Sequence, residues 1–304
     1  MVNRPIEDFR PEEIAVSVAN AFELDADRVA VACQLSAEAG SINRYYILEL
    51  TVPGVRLDVT RQANFYLKGY SRANGVEMCL EVGNVLYSRA AGAEWEQAKF
   101  EPPFLQDCLV DGPRFVFGAE GRLFASTGGD YVRQETEATS RLMAMGKGPD
   151  DLFYVVGERG TLLRGRTGAW TRVDLGMGVH LRSVCAIEEK VLIGGENGYL
   201  AILASDELIE IDTGLTGDIL SICWHKGVTY VADSSFGISI LEGTALRPYA
   251  EIGYVYRLNS GTHFLTCATD EFVYQFGADG LRGVEFYFED GLKGIEADTE
   301  GVID

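Results

Sequence analysis

Hydrophobic residues along this chain come in short runs rich in Val, Ile, Leu and aromatics, bounded by Gly, Asp, Asn or Glu. Such runs predict β-strands joined by tight turns, with Gly supplying the positive φ that a hairpin needs. The turns are regularly spaced. Gly-Ala-Glu-Gly precedes Arg122-Leu123-Phe124, Gly-Glu-Arg-Gly precedes Thr161-Leu162-Leu163, and Gly-Glu-Asn-Gly precedes Tyr199-Leu200-Ala201. The first residues after the Gly-rich turns are Val85, Arg122, Thr161, Tyr199, Ile238 and Phe272, about 34 to 39 residues apart. One further step back from Val85 reaches Tyr45, within the strand-like run Tyr45-Tyr46-Ile47-Leu48. Seven units between about residue 14 and residue 288 follow from this register.

Each unit reads as four strands. In the fifth they are His180 to Ala186, Lys190 to Ile193, Tyr199 to Leu203 and Glu207 to Ile211. In the sixth they are Asp218 to Trp224, Val228 to Ala232, Ile238 to Leu241 and Leu246 to Tyr249. Residues 8–22 are ambiguous, and the alternation Ile14-Ala15-Val16-Ser17-Val18 favours a strand. A four-stranded sheet cannot bury both faces alone, whereas stacking such sheets radially buries each against its neighbours. The expected fold is therefore all-β, a seven-bladed β-propeller of four-stranded antiparallel blades; the alternative is a superhelical β-solenoid. The expected organisation is one propeller domain over 1–288, with 1–13 as an N-terminal extension. Residues 36–41 lengthen one hairpin, and 289–304 form a solvated acidic tail.

Composition narrows the function more than the fold. The 304 residues are 47% hydrophobic and 24% charged, enough for a substantial core. No apolar run approaches the roughly 20 residues that span a bilayer. The opening stretch lacks a signal-peptide core, so a cytoplasmic protein with no membrane partner is expected. The net charge of −20, from 46 acids against 26 bases, repels phosphate and argues against nucleic acid. It suits a basic protein partner. Cys33, Cys79, Cys108, Cys185, Cys223 and Cys267 show no metal-ligand spacing. Cys108, Cys185 and Cys223 fall about two repeats and one repeat apart, which places them at one structural position as small buried hydrophobes.

The fourth unit carries a family likeness. Val156-Gly157-Glu158-Arg159-Gly160-Thr161-Leu162-Leu163-Arg164 followed by Thr167-Gly168-Ala169-Trp170 resembles the repeats of BNR/YVTN-type propellers. These are the repeats of the photosystem II assembly-factor-like and sialidase-like superfamily. Gly92-Ala93-Glu94-Trp95 and Gly128-Gly129-Asp130-Tyr131 echo it. The sialidase-type Asp box is absent, since Arg164 to Trp170 contains no Asp, and no recurring Gly-His and Trp-Asp pair is present. The resemblance implies a propeller with binding or assembly as its commonest role, and it transfers no catalytic residue.

No residue pattern assigns a reaction or a cofactor. His180, His225 and His263 are dispersed on the blade map, which argues against a shared metal. No G-x-S-x-G elbow occurs, and the G-x-x-G runs lie between strands rather than before helices, which removes a phosphate cradle. Trp95 and Trp170 are expected to pack between blades. One polar feature repeats: Glu120, Glu158, Glu196, Asp233 and Asp270 fall at or near the same inter-strand turn in consecutive units. Ordinary turn chemistry accounts for acids there; a sharper reading is a partial acidic ring, a candidate partner-binding face. The sequence thus points to a non-enzymatic protein-binding propeller, either a scaffold or assembly factor or an immunity-type inhibitor. The alternative is a propeller glycoside hydrolase, lyase or lactonase acting at the channel mouth.

Overall fold

A computed structural model describes residues 5–38, 42–101, 104–149, 151–204, 207–278, 280–300 and 302. The chain is a seven-bladed β-propeller whose blades are antiparallel and contiguous in sequence. The blades span residues 15–63, 67–99, 105–133, 142–173, 181–211, 219–251 and 255–296. The polypeptide divides into two compact units, residues 1–67 with 249–304, and residues 68–248.

In the second unit, adjacent blades share apolar side chains. Phe115 and Phe117 of blade 3 meet Leu142 and Phe153 of blade 4, with the Phe115 and Phe153 rings 4.7 Å apart. Val156 and Leu162 of blade 4 meet Leu181 and Ile193 of blade 5, and Leu192 of blade 5 meets Ile222 of blade 6. Trp170 lies between blades, edge-on to Phe115, and its Nε1 donates to Gln134 Oε1 at 3.4 Å. Trp95 lies under the Arg89 guanidinium within blade 2.

In the first unit, Val31, Leu48 and Leu50 of blade 1 pack with Val273, Val284 and Phe286 of blade 7. Glu23 is the polar counterpart of that seam. Its side chain is 4% exposed. Its carboxylate accepts the backbone N–H groups of Thr262, His263 and Phe264 and contacts His263 Nδ1. One side chain of blade 1 thereby fixes a hairpin turn of blade 7.

Strand positions in blades 5 and 6 match the hydrophobic runs to within one or two residues: Leu181–Ile187, Lys190–Gly195, Leu200–Ala204 and Glu207–Ile211, for instance. The ambiguous N-terminal stretch forms 3-10 turns at Ile6–Asp8 and Pro11–Glu13, then the strand Ala15–Glu23. Of the expected loop at 36–41, residues 39–41 lie outside the described residues.

Two expectations are corrected. Part of the segment expected to be a solvated acidic tail is a strand: Leu292–Glu296 turns back on Phe288 and adds a fifth strand to blade 7. Leu292 packs against the first-unit core, and this apolar contact with the sheet edge outweighs the surrounding acids. The tail's residues 301, 303 and 304 lie outside the described residues. The three cysteines do not share one position. Cys185 pairs with Leu192 and Cys223 with Tyr230, four residues after the start of their strands, whereas Cys108 pairs with Val116, three residues after Leu105. A shift of one residue turns a strand side chain to the other face, and Cys108 accordingly packs with Met78 and Leu80 of blade 2.

Candidate functional site

In blades 3, 4 and 5 the recurring Gly-rich turn joins the second and third strands. Its third and fourth residues take positive φ: Glu120 and Gly121 at 56° and 65°, Arg159 and Gly160 at 55° and 65°, Asn197 and Gly198 at 55° and 71°. The N–H of the last Gly donates to a carbonyl of the linker leading to the next blade: Ser140, Val179 and Gly217, each at 2.7 Å. A Cβ on Gly121, Gly160 or Gly198 would strike the carbonyl oxygen of Ala138, Met177 or Leu215 in that linker. Glycine is thus required twice, by φ and by contact with the linker to the neighbouring blade. The turn's other end is tied to its own blade. Ala119 N donates to Phe104 O, Glu158 N to Arg141 O, Glu196 N to His180 O and Ser234 N to Asp218 O, at 2.9 to 3.0 Å. Turn acids therefore project from a pinned backbone.

A second recurring feature sits beside these turns. The first strands of blades 3 to 7 each break register near their start, bulging at Gln106, Met143, Arg182, Leu220 and Tyr256. A bulge re-aims a side chain and locally ends pairing. Here it brings Arg182 onto Glu196 and lets the Tyr256 hydroxyl donate to Asp270 Oδ1 at 2.6 Å. The signal for it lies in the sequence as an apolar spacing of three instead of two: Leu105/Cys108, Leu142/Met145, Ile219/Ile222 and Val255/Leu258.

Structure places all five acids of the candidate face at or beside the second-to-third-strand turn of their own blades. Their surroundings differ. Glu120 is bonded by the Arg122 guanidinium. Glu158 lies 3.5 Å from Arg141 Nη1. Glu196 is bonded by Arg182, with His180 Nδ1 at 3.4 Å, and Arg182 Nε is 3.7 Å from Asp218. Asp233 is buried, and its Oδ1 caps its own turn by accepting from Ser235 N at 2.7 Å and Phe236 N at 2.9 Å. Asp270 is exposed, and its backbone oxygen accepts from Val18 N of blade 1 at 2.6 Å. Three of the five carboxylates are thus matched by arginines that a list of turn acids does not contain.

Exposed aromatic side chains occupy the same end of their respective blades, where linkers enter and second turns fold. In the first unit these are Phe65, Tyr66 and Tyr254. The Tyr254 and Tyr256 rings lie 4.8 Å apart. Burial, the Asp270 bond and charge, and the nearby Tyr254 and Tyr66 all push the Tyr256 hydroxyl well above the ordinary tyrosine range. In the second unit Phe104 is 68% exposed at φ 91°. Asn84 Oδ1 holds it there by accepting from Phe104 N at 3.0 Å and Leu105 N at 2.9 Å. A bulky residue at positive φ is an outlier that surrounding bonds must enforce. Val82, also exposed, stands two residues before Asn84.

Elsewhere the chemistry is sparse. A cavity of about 440 Å³ opens at the opposite end of blades 3 and 4, lined by Asp111, Lys147, Asp151 and Arg166 among others, with Lys147 Nζ 2.7 Å from Asp151. No group of three or more His, Cys, Asp or Glu side chains is gathered for a metal among the described residues. Burial pushes the Cys185 thiol up to about 11. Among the described residues no helix is long and apolar enough to cross a membrane.

No protein-family model and no curated protein matches the sequence. Solved structures match over nearly the whole chain. YCF48 bound to a D1 peptide is 12% identical with a TM-score of 0.58, covering 98% of this chain and 99% of that one. YCF48 from Cyanidioschyzon merolae is 12% identical with a TM-score of 0.58, covering 90% and 98%. The WD40 β-propeller domain of Doa1 is 9% identical with a TM-score of 0.66, covering 94% of each chain. At these identities the likeness establishes the propeller fold.

Proposed function

We propose that this chain is a protein-binding propeller that engages a basic protein at the linker and second-turn end of its blades. Glu120, Glu158 and Glu196 in the second unit, and Asp270 in the first, each provide charge at that end of their own blades, and exposed aromatics provide contact area. The carrying observation is the aromatic distribution. Of the six exposed aromatic residues among those described, Phe65, Tyr66, Phe104 and Tyr254 lie at this end of their blades, leaving Trp224 and Tyr287. Exposed aromatics grouped as Tyr254 is with Tyr256 and Tyr66 in the first unit mark interaction sites, and Tyr, Trp and Arg supply most binding hot spots. Arginine pairing of Glu120, Glu158 and Glu196 orients those carboxylates and lowers the local negative charge. The charge of −20 favours approach by a basic partner, chiefly by steering. A solved propeller of the same fold carries a bound peptide, which supports reading such a surface as a seat for a protein segment.

The test is capture from lysate with the wild-type chain and with Glu158→Lys/Glu196→Lys/Asp270→Lys, each captured set identified by mass spectrometry. The proposal expects basic proteins retained by the first and lost from the second. Identical captured sets overturn the assignment of the face. Scaffold and inhibitor roles then separate on the partner's own activity, unchanged or suppressed when bound.

A further inference from the structure

The first unit holds an arrangement that turn acids alone do not require. Tyr254 and Tyr256 stand with ring centroids 4.8 Å apart and planes inclined by 52°. Tyr254 is 40% exposed and Tyr66 44% exposed, so neither ring is core filling. The Tyr256 hydroxyl is fixed on Asp270 Oδ1 at 2.6 Å, and the Asp270 backbone is fixed in turn by Val18 N. The neighbouring residue Glu271 is also exposed.

Phenol rings present negative faces, and a carboxylate beside them deepens the potential. Burial is the largest cause of the Tyr256 shift, and Asp270, Tyr254 and Tyr66 add to it, each opposing removal of its proton. Such a place attracts a cation. The carboxylate lies at the hydroxyl edge of Tyr256, which suits a planar guanidinium that stacks on a ring while donating sideways. Oδ1 of Asp270 already accepts from Tyr256, which leaves Oδ2 for the incoming donor. Arg257, next in the strand, has Nη1 on the Tyr256 carbonyl oxygen at 3.3 Å.

We propose that Tyr66, Tyr254, Tyr256 and Asp270 form a subsite for an arginine side chain of the basic partner. The subsite rests on the protein-binding reading above and sharpens it to one contact. Tyrosine serves this purpose well because it offers rigid, amphipathic area at small entropic cost.

The probes are N-acetyl-arginine methylamide, its leucine counterpart, and a hexa-arginine peptide. The protein carries ring-labelled tyrosine for NMR. The arginine probe is expected to shift the Tyr66, Tyr254 and Tyr256 signals with a dissociation constant in the millimolar range, as suits a single exposed contact. Asp270→Asn is expected to weaken it about fivefold, and Tyr254→Leu, at an exposed position, by a similar factor. Absence of tyrosine shifts, or equal shifts from the leucine probe, overturns the subsite. Hexa-arginine separates the two proposals. Binding lost in Glu158→Lys/Glu196→Lys but unaffected by Tyr254→Leu refutes the subsite and keeps the face. Tyrosine shifts from the arginine probe without any hexa-arginine binding keep the cation subsite and refute the face. Tyr256→Phe retains the ring and removes only the Asp270 bond, so a Tyr256→Phe variant that binds as tightly as the wild type also overturns the arrangement.

Discussion

Two glycines of blade 4 separate backbone conformation from contact with the linker to blade 5. Gly160 has φ 65° and Gly168 has φ 84°, so alanine is conformationally disfavoured at both. Placing a Cβ residue at positive φ costs about 1–2 kcal/mol, offset by about 0.4–1 kcal/mol from the stiffer unfolded chain. At Gly168 nothing lies within 4 Å of the added Cβ. Gly168→Ala is therefore expected to destabilise by about 1 kcal/mol. At Gly160 the Cβ falls on the Met177 carbonyl oxygen, closer than the 3.0 Å that real Cβ atoms respect, and Met177 Cγ is 3.0 Å away. Relieving that collision means moving linker backbone, which costs about 1–3 kcal/mol. It also strains the Gly160 N–H bond to Val179 O, worth about 1 kcal/mol. Gly160→Ala is thus expected to cost about 3–5 kcal/mol. The assay is urea unfolding followed by tryptophan fluorescence, for which Trp170 reports from the same blade, with m-values compared between variants. Equal losses, to within about 0.5 kcal/mol, would refute contact with the linker as the reason for the repeated glycine.

Three further outcomes are expected. Glu23→Gln leaves three backbone N–H groups facing an amide instead of a carboxylate, and is expected to cost about 2–3 kcal/mol in urea unfolding, discounted for the half-exposed His263; no loss would remove Glu23 as the tie between blades 1 and 7. At position 104 glycine accepts the φ of 91° and alanine does not, so Phe104→Gly is expected to be more stable than Phe104→Ala by about 1 kcal/mol, and the reverse order in thermal unfolding would show that the loop is unstrained. Burial raises the Glu77 carboxyl, but the Tyr70 hydrogen bond and the charges of Arg72 and Arg89 outweigh it and hold Glu77 below the usual value of 4.5. Its stabilisation is therefore present above about pH 4.5 and lost as pH falls through the lower folded value. Glu77→Gln is expected to be less stable near neutrality and to lose less on acidification, and parallel stability–pH curves from urea titrations would contradict this.

Much of the fold was legible because it is written in period and alternation. Seven units and the first four strands of each follow from apolar runs and glycine spacing, since the Gly-rich turns of blades 3, 4 and 5 need positive φ at fixed places. What escaped depended on register. A bulge at Arg182 or Tyr256 moves one side chain by one position, and a spacing argument in whole repeats does not resolve one residue; the same blindness put Cys108 with Cys185 and Cys223. The arginines on Glu158 and Glu196 come from the start of the same blade's first strand, so pairing appears only once the bulged strand is folded beside its turn. Phe104 escaped for another reason: an exposed aromatic after two prolines reads as linker until Asn84, twenty residues earlier, is seen to hold it. The strand at Leu292–Glu296 was hidden by its acidic flanks, with the Leu292 contact to the core deciding its place.

The central claim, that a basic protein is gripped at the linker and second-turn end of the blades, is tested most directly by hydrogen exchange on the captured complex. Slowed exchange at 104–105, 118–121, 157–160, 195–198 and 254–256, with the opposite hairpins at 74–75, 111–112 and 225–227 unchanged, is the result predicted. Slowing confined to those opposite hairpins, or none at either end, would contradict it.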